Sequence, residues 1–172
     1  MAGYVIHLAV AQEYLKKHCN KKEDYEQFIE GVIYPDSVSD KSLTHYGSKS
    51  SKVILKDFLK ENKLEDSYKK GYFLHLVTDY LFYNKYLDIF TKDIYNDYDI
   101  LNKNLIEKYT VKIPSKIENK IFYKDGKTKI LTEELAEKII DEISNLDLNI
   151  IEKEIRKNPN DEKWLKLNEK IK

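Results

Sequence analysis

The sequence predicts an all-α protein, a multi-helix bundle formed by a single domain over residues 1–172. Three observations carry this. Apolar residues recur every three to four positions in successive segments, the spacing of a helix with one buried face. Only 3 prolines and 5 glycines occur in 172 residues, and the glycines are scattered singly, so long irregular stretches are few. With 14 tyrosines and 6 phenylalanines in a chain that is 41% apolar, there is enough bulk for one real core.

The first helix is predicted from Tyr4 to His18, where Tyr4, Val5, Leu8, Ala11, Tyr14 and Leu15 share a face and Asn20 with the lysines after it ends the run. A second runs from Glu23 to Ile33 until Pro35 stops it. Residues Asp36 to Ser51 are rich in Ser, Asp and Gly and read as a loop of about fifteen residues, a length that often marks a functional loop. Ser50 or Ser51 is placed to cap the next helix, Lys52 to Asn62. The longest helix should run from Asp66 to Phe90, with a centre, Tyr72 to Tyr83, that is apolar on nearly all sides and therefore belongs in the middle of the bundle. Another helix covers Tyr98 to Tyr109, and the acidic run Asp93 to Asp99 before it reads as a solvated turn, because it lacks the Gly and terminal Glu of a calcium loop.

Pro114 marks a boundary between a half of about 1–110 and a C-terminal helical part of about 115–172. Residues Ile121 to Ile130 carry an Asp-Gly turn between apolar flanks, which suits a small hairpin or an extended lobe. Thr132 should cap a helix with Glu133 and Glu134 in its first turn and Leu135, Ile139, Ile140, Ile143 and Leu146 on its buried stripe. A further helix runs from Leu148 to Lys157, and Asp161 to Ile171 form an amphipathic turn or two around Trp164.

Charge excludes one class of function. Lys plus Arg equals Asp plus Glu at 30 each, and from Val111 to Lys172 the balance is still 14 to 13. A basic nucleic-acid-binding patch is not expected. One cysteine, Cys19, allows no intrachain disulfide. No basic segment precedes the short apolar run at the N-terminus and no run approaches the length of a membrane span, so the expected location is the cytoplasm.

The usual catalytic signatures are missing: no Gly-rich phosphate loop, no Cys-x-x-Cys, no Gly-x-Ser-x-Gly and no adjacent His-Asp pair. What stands out is the placement of three of the four histidines. His7 sits in an apolar helix, His45 in the loop as Thr44-His45-Tyr46-Gly47, and His75 in the most apolar helix of the chain. Buried imidazoles need partners for both ring nitrogens. Asp79, four residues after His75, shares its helix face, and Asp36 follows Pro35 about nine residues before His45. Two imidazoles and two carboxylates from three segments suit a divalent ion such as Zn, Mn or Fe, and His7 adds a ligand for a second ion bridged by Asp79. The blander readings are a hydrogen-bonded core pair for His75 and Asp79, a core histidine at His7, a turn cap at Asp36 and an idle loop histidine at His45. His18, beside Cys19 at a helix end, reads as a histidine set against the helix dipole.

These segments resemble a known family. His7 in a first apolar helix, Gly31-Val32-Ile33-Tyr34-Pro35-Asp36, Thr44-His45-Tyr46-Gly47 and Gly71-Tyr72-Phe73-Leu74-His75-Leu76-Val77-Thr78-Asp79 are similar to the zinc-dependent phospholipase C-like family, all-helical relatives of bacterial phospholipase C and of P1 nuclease. The resemblance covers roughly residues 1–90. It implies that Asp36, His45, His75 and Asp79 hold one zinc, that His7 contacts a second with Asp79 bridging, and that Asp36 is the general base. The chain departs from the family in having no histidine after His75, so the family's third ion cannot be built and at most two ions are expected. The family's N-terminal amine ligand is likewise not expected from a chain that starts at Met1. The implied activity is a metal-dependent phosphoester hydrolase acting through a metal-bound water on a small-molecule or lipid phosphoester, with no transmembrane segment. The competing expectations are a helical binding protein with a structural or vestigial metal site, and a scaffold whose histidines are core hydrogen-bonders without metal.

Overall fold

The computed structural model of the chain describes residues 2–18 and 22–171. Seven α-helices form the bundle: α1 (Tyr4–His18), α2 (Tyr25–Ile33), α3 (Leu55–Glu61), α4 (Ser67–Leu81), α5 (Asp93–Tyr109), α6 (Glu133–Ser144) and α7 (Leu148–Lys157). Cys19 and the predicted helix stop at Asn20 lie outside the described residues. Among those that are described there is no strand. No helix is long and apolar enough to cross a membrane.

Helices α1 and α4 are the centre of the molecule. Every residue from Gly71 to Tyr80 is buried, as is every residue from Tyr4 to Gln12, which is what apolar residues on all sides of a helix require. Tyr72, Tyr80 and Tyr83 belong to this core. One apolar cluster runs through the chain from Ala2 to Ile171. The C-terminal helices pack into it and tie back by polar contacts. Tyr14 Oη accepts from Leu148 N at 3.3 Å. Arg156 donates to Leu59 O and Asn62 O at 2.9 Å each, closing the carbonyl end of α3.

The pairing of α2 with α4 is unusually close. A Cβ at Gly31 would sit 2.0 Å from Tyr68 O, and one at Gly71 would sit 2.0 Å from Phe28 O. Each helix thus offers the other a residue with no side chain, and the two backbones touch.

Several boundaries moved. Helix α3 begins at Leu55, not Lys52, and Ser50 and Ser51 form a separate 3-10 turn (Ser50–Lys52) that supplies no side-chain cap. The 36–51 loop is largely folded, with 3-10 turns at Tyr34–Asp36 and Lys41–Leu43 besides that one. Helix α4 ends as an α-helix at Leu81 and continues as one π-helical turn, Phe82–Tyr86, so it stops short of Phe90. The predicted start and cap of α6 hold, with Thr132 accepting from Leu135 N at 3.1 Å.

Two expectations were wrong, for one shared reason. The acidic run Asp93 to Asp99 is the first two turns of α5, and Asp97 is fully buried. Its carboxylate accepts from the backbone N–H groups of Lys129, Ile130 and Leu131 at 2.9, 2.7 and 2.9 Å. Residues 121–131 therefore form no hairpin. Their backbone bonds to α5 instead, with Lys124 N donating to Asp99 O at 3.0 Å and Asn102 Nδ2 to Phe122 O at 2.9 Å.

Candidate metal centre

Five side chains meet where α1, the end of α2, the following loop and α4 converge. They are the five residues singled out above: His7, Asp36, His45, His75 and Asp79, each no more than 6% exposed. Helix periodicity places His75 and Asp79 on one face of α4. Pro35 turns the chain after α2 and sets Asp36 opposite them, buried in its 3-10 turn. Thr44 anchors the loop by donating to Pro35 O at 2.8 Å, and Tyr72 Oη donates to Thr44 O. The loop thereby delivers His45 to the same point.

The donor atoms converge tightly. His45 Nε2 and His75 Nε2 each lie 3.2 Å from Asp79 Oδ2 and 3.3 Å from one another. Asp36 offers Oδ1 at 3.4 Å from His45 Nε2 and Oδ2 at 3.7 Å from His75 Nε2. On the far side of Asp79, His7 Nε2 is 3.1 Å from Oδ1, which also accepts from Ala2 N at 3.1 Å.

The tautomers follow from the outer contacts. His75 Nδ1 lies 2.6 Å from Val32 O, and His45 Nδ1 lies 3.1 Å from Lys41 O. A carbonyl can only accept, so in both rings Nδ1 carries the proton, and the Nε2 of the neutral ring turns a lone pair to the centre. His7 is different. Its Nδ1 has no partner, and neither do Asp36 Oδ1, Asp36 Oδ2 and Asp79 Oδ2. The three carboxylate oxygens face imidazole Nε2 atoms at 3.2 to 3.9 Å, and a cation set among them would satisfy the oxygens and the Nε2 lone pairs together, whereas His7 Nδ1 points away from that side of its ring.

The electrostatics agree. Burial opposes ionisation of Asp36, but the imidazoles of His75, His45 and His7 hold its pKa down at about 2. Burial likewise opposes ionisation of Asp79, and positive charge nearby, His7 and His75 included, keeps it well below the ordinary carboxylate value. Burial would depress His45, yet Asp36 and Asp79 raise it to about 9. Burial and the neighbouring His75 push His7 down, so it stays neutral. Asp36 and Asp79 are therefore ionised and, with no ion bound, His45 carries a proton between them.

His7 and His75 stack with ring centroids 3.7 Å apart and planes 6° from parallel. An imidazole holds an ion near its own ring plane. Two parallel, separated planes fit a single ion poorly, and these rings suit two ions side by side. Metal-compatible donor groups fall into two sets with His75 in both, Asp36 with His45 and His75, and His7 with His75 and Asp79.

The supporting residues were not legible in the sequence. Val32 and Lys41 act through backbone carbonyls, which any residue offers. Tyr4 was readable only as a core residue, but its Oη donates to Asp36 O at 3.1 Å and it lies one helical turn before His7. His18 packs on Tyr14, with centroids 4.0 Å apart, and its Nε2 lies 3.3 Å from Ser144 O, a structural role well away from the centre.

The α2–α4 contact has a direct bearing here, since it brings Val32 O to His75. Gly71→Ala should force the helices apart, at a cost of about 1–3 kcal/mol, and release His75 Nδ1 from its carbonyl. A lower denaturation midpoint accompanied by loss of metal uptake is the expected result. Unchanged uptake would show that the carbonyl does not govern His75.

No family model matches the chain, and comparisons with curated proteins and with solved structures return no match.

Proposed function

We propose that this chain is a metal-dependent phosphoester hydrolase of the phospholipase C-like class. The observation that carries the reading is the donor spacing. Metal–ligand bonds of about 2.0–2.2 Å in a tetrahedron put neighbouring donors roughly 3.3 Å apart. His45 Nε2, His75 Nε2 and Asp79 Oδ2 lie 3.2 to 3.3 Å from one another, and Asp36 comes within 3.4 Å of His45 Nε2 through Oδ1 and 3.7 Å of His75 Nε2 through Oδ2. Those four residues would hold one ion, most suitably zinc, since imidazole and carboxylate donors in tetrahedral array match its preferences; manganese and iron accept the same donors. His7 Nε2 and Asp79 Oδ1 would hold a second, leaving open positions there.

A bound ion of this kind supplies an activated water near neutral pH and polarises a phosphoryl oxygen. The chain's own residues set the rest. Asp79 bridges with one oxygen to each side. Asp36, ionised and with both oxygens free of hydrogen bonds, would accept the hydrogen bond of an attacking water and orient it. Val32 O and Lys41 O keep the two imidazoles in the ligating tautomer.

A second reading is favoured by burial. The side chains of His45, Asp36 and Asp79 are 0% exposed, as in a closed structural site. The two readings separate in one experiment: elemental analysis of protein purified without added metal or chelator, followed by assay against phosphodiester and phospholipid substrates. About two equivalents with hydrolysis supports the hydrolase. About one equivalent with no hydrolysis leaves a structural site, and no uptake even on titration removes both.

A further inference from the structure

The centre meets solvent at the turn that follows Asp36. Ser39, Asp40, Ser42 and Leu43 are exposed, while the side chains of Asp36 and His45 behind them are 0% exposed. One cation stands in this wall. Lys41 Nζ donates to Asp36 O at 2.8 Å and to Val38 O at 2.6 Å, and it lies 3.9 Å from Asp36 Oδ1 with its side chain 27% exposed. The nearest acidic neighbour in the turn, Asp40, is turned away, with its Oδ1 accepting from Ser42 N and Ser42 Oγ at 3.0 and 2.6 Å.

An ammonium group has three N–H donors. Two go to the carbonyls, and among the described residues no acceptor takes the third within hydrogen-bond distance. The charge count points the same way. One divalent ion neutralises Asp36 and Asp79. A second leaves the buried centre with two positive charges in excess, and Lys41 adds a third at its mouth. Buried charge of one sign needs a counter-ion, and Lys41 stands on the exposed turn in front of Asp36.

We propose that Lys41 is the anion-binding residue of this centre: held over Asp36 by two carbonyls, its ammonium takes a phosphoryl oxygen of the substrate through a charge-assisted hydrogen bond. The proposal rests on the two-ion hydrolase reading above and names the residue that selects an anionic substrate for it. Lys41 differs from the histidines in being dispensable for ligation, since its nitrogen points at carbonyls and its own carbonyl, which orients His45, survives any substitution.

The test uses inorganic phosphate as the probe and calorimetric titration of metal-loaded protein as the readout, with metal content measured in parallel. Phosphate should bind the unsubstituted protein. In Lys41→Met metal content should be unchanged and phosphate affinity should fall about tenfold to a hundredfold, the worth of one hydrogen bond to a charged group. Lys41→Arg should retain affinity within a few-fold. Equal phosphate affinity in Lys41→Met overturns the proposal, as does loss of metal from that variant, which would make Lys41 a clamp on the turn. Weak binding in Lys41→Arg would also count against a role for the charge. A metal-loaded parent that ignores phosphate sinks this proposal alone, whereas a parent that takes up no metal removes the hydrolase reading beneath it.

Discussion

Asp79→Asn should abolish metal binding while leaving the helical fold in place. Asp79 approaches all three histidines of the centre more closely than Asp36 does, with Oδ1 3.1 Å from His7 and Oδ2 3.2 Å from both His45 and His75, against 3.4 to 3.9 Å for Asp36. Asparagine keeps the size of the side chain and can keep the bond from Ala2 N, but its NH2 cannot ligate and its charge is gone. Bridging then fails on one side or the other. The loss in affinity should exceed the tenfold to hundredfold that removal of a mere outer-shell partner costs, so metal content should fall from one or two equivalents to near zero. His7→Phe supplies the contrast. It preserves the stack on His75 yet removes one donor, and it should lose the second ion while keeping the first. Elemental analysis of both variants, with circular dichroism as the folding control, separates the outcomes. Retention of full metal content by Asp79→Asn would end the bridging assignment, and loss of every ion from His7→Phe would mean that the two rings serve a single ion.

The centre was legible because its residues break local patterns. His7 and His75 interrupt helices that are apolar on all sides, where a titratable group is costly without a partner. Asp79 repeats on the face of His75 at helical spacing. Asp36 and His45 sit in a loop longer than connection alone requires. Helices α6 and α7 were legible for the opposite reason, since Thr132, the glutamates after it and a regular apolar stripe all agree. Asp97 was not legible. Its neighbours Asp93 and Asp99 are solvated, and what buries it is the 129–131 backbone, more than thirty residues away. The same contact misled the hairpin reading, because an Asp-Gly turn with apolar flanks predicts pairing but does not say with what. The π-helical turn after Leu81 and the carbonyls that orient His45 and His75 leave no mark on residue identity at all. Nothing in residue identity marks Lys41 either; its place over Asp36 is set by the fold of the turn.

In the metal-free protein, stability should fall as the pH rises from about 6.5 to about 9, and metal should cancel that slope. The argument turns on His45. Its ordinary value is 6.5, and in the folded protein the carboxylates of Asp36 and Asp79 raise it to about 9. A raised group stabilises the fold fully below the unfolded value and loses that contribution as the pH passes the folded one. A shift of this size corresponds to roughly 3 kcal/mol. The other groups act elsewhere on the scale. His7, kept neutral by burial and by His75, weakens the fold only below about 6.5, where the unfolded chain takes up a proton that the folded one refuses. Asp36, held at about 2, stabilises above its ordinary value of 3.8 and loses that as the pH falls towards 2. Of these groups, His45 is the one that acts between 6.5 and 9. A metal ion must displace the same proton, so its affinity should rise about tenfold per pH unit across that window, and binding near pH 7.5 should release about one proton. Because stabilisation by a bound ligand grows with its concentration over its dissociation constant, the gain from metal offsets the loss, and the metal-loaded protein should hold its melting temperature nearly constant over the range in which the metal-free protein loses it. Calorimetry in buffers of different ionisation heat counts the proton, and thermal melts at a series of pH values give the two slopes. Parallel slopes, or binding with no proton released, would mean that His45 is neutral before the ion arrives and that the two carboxylates do not act on it as the geometry requires.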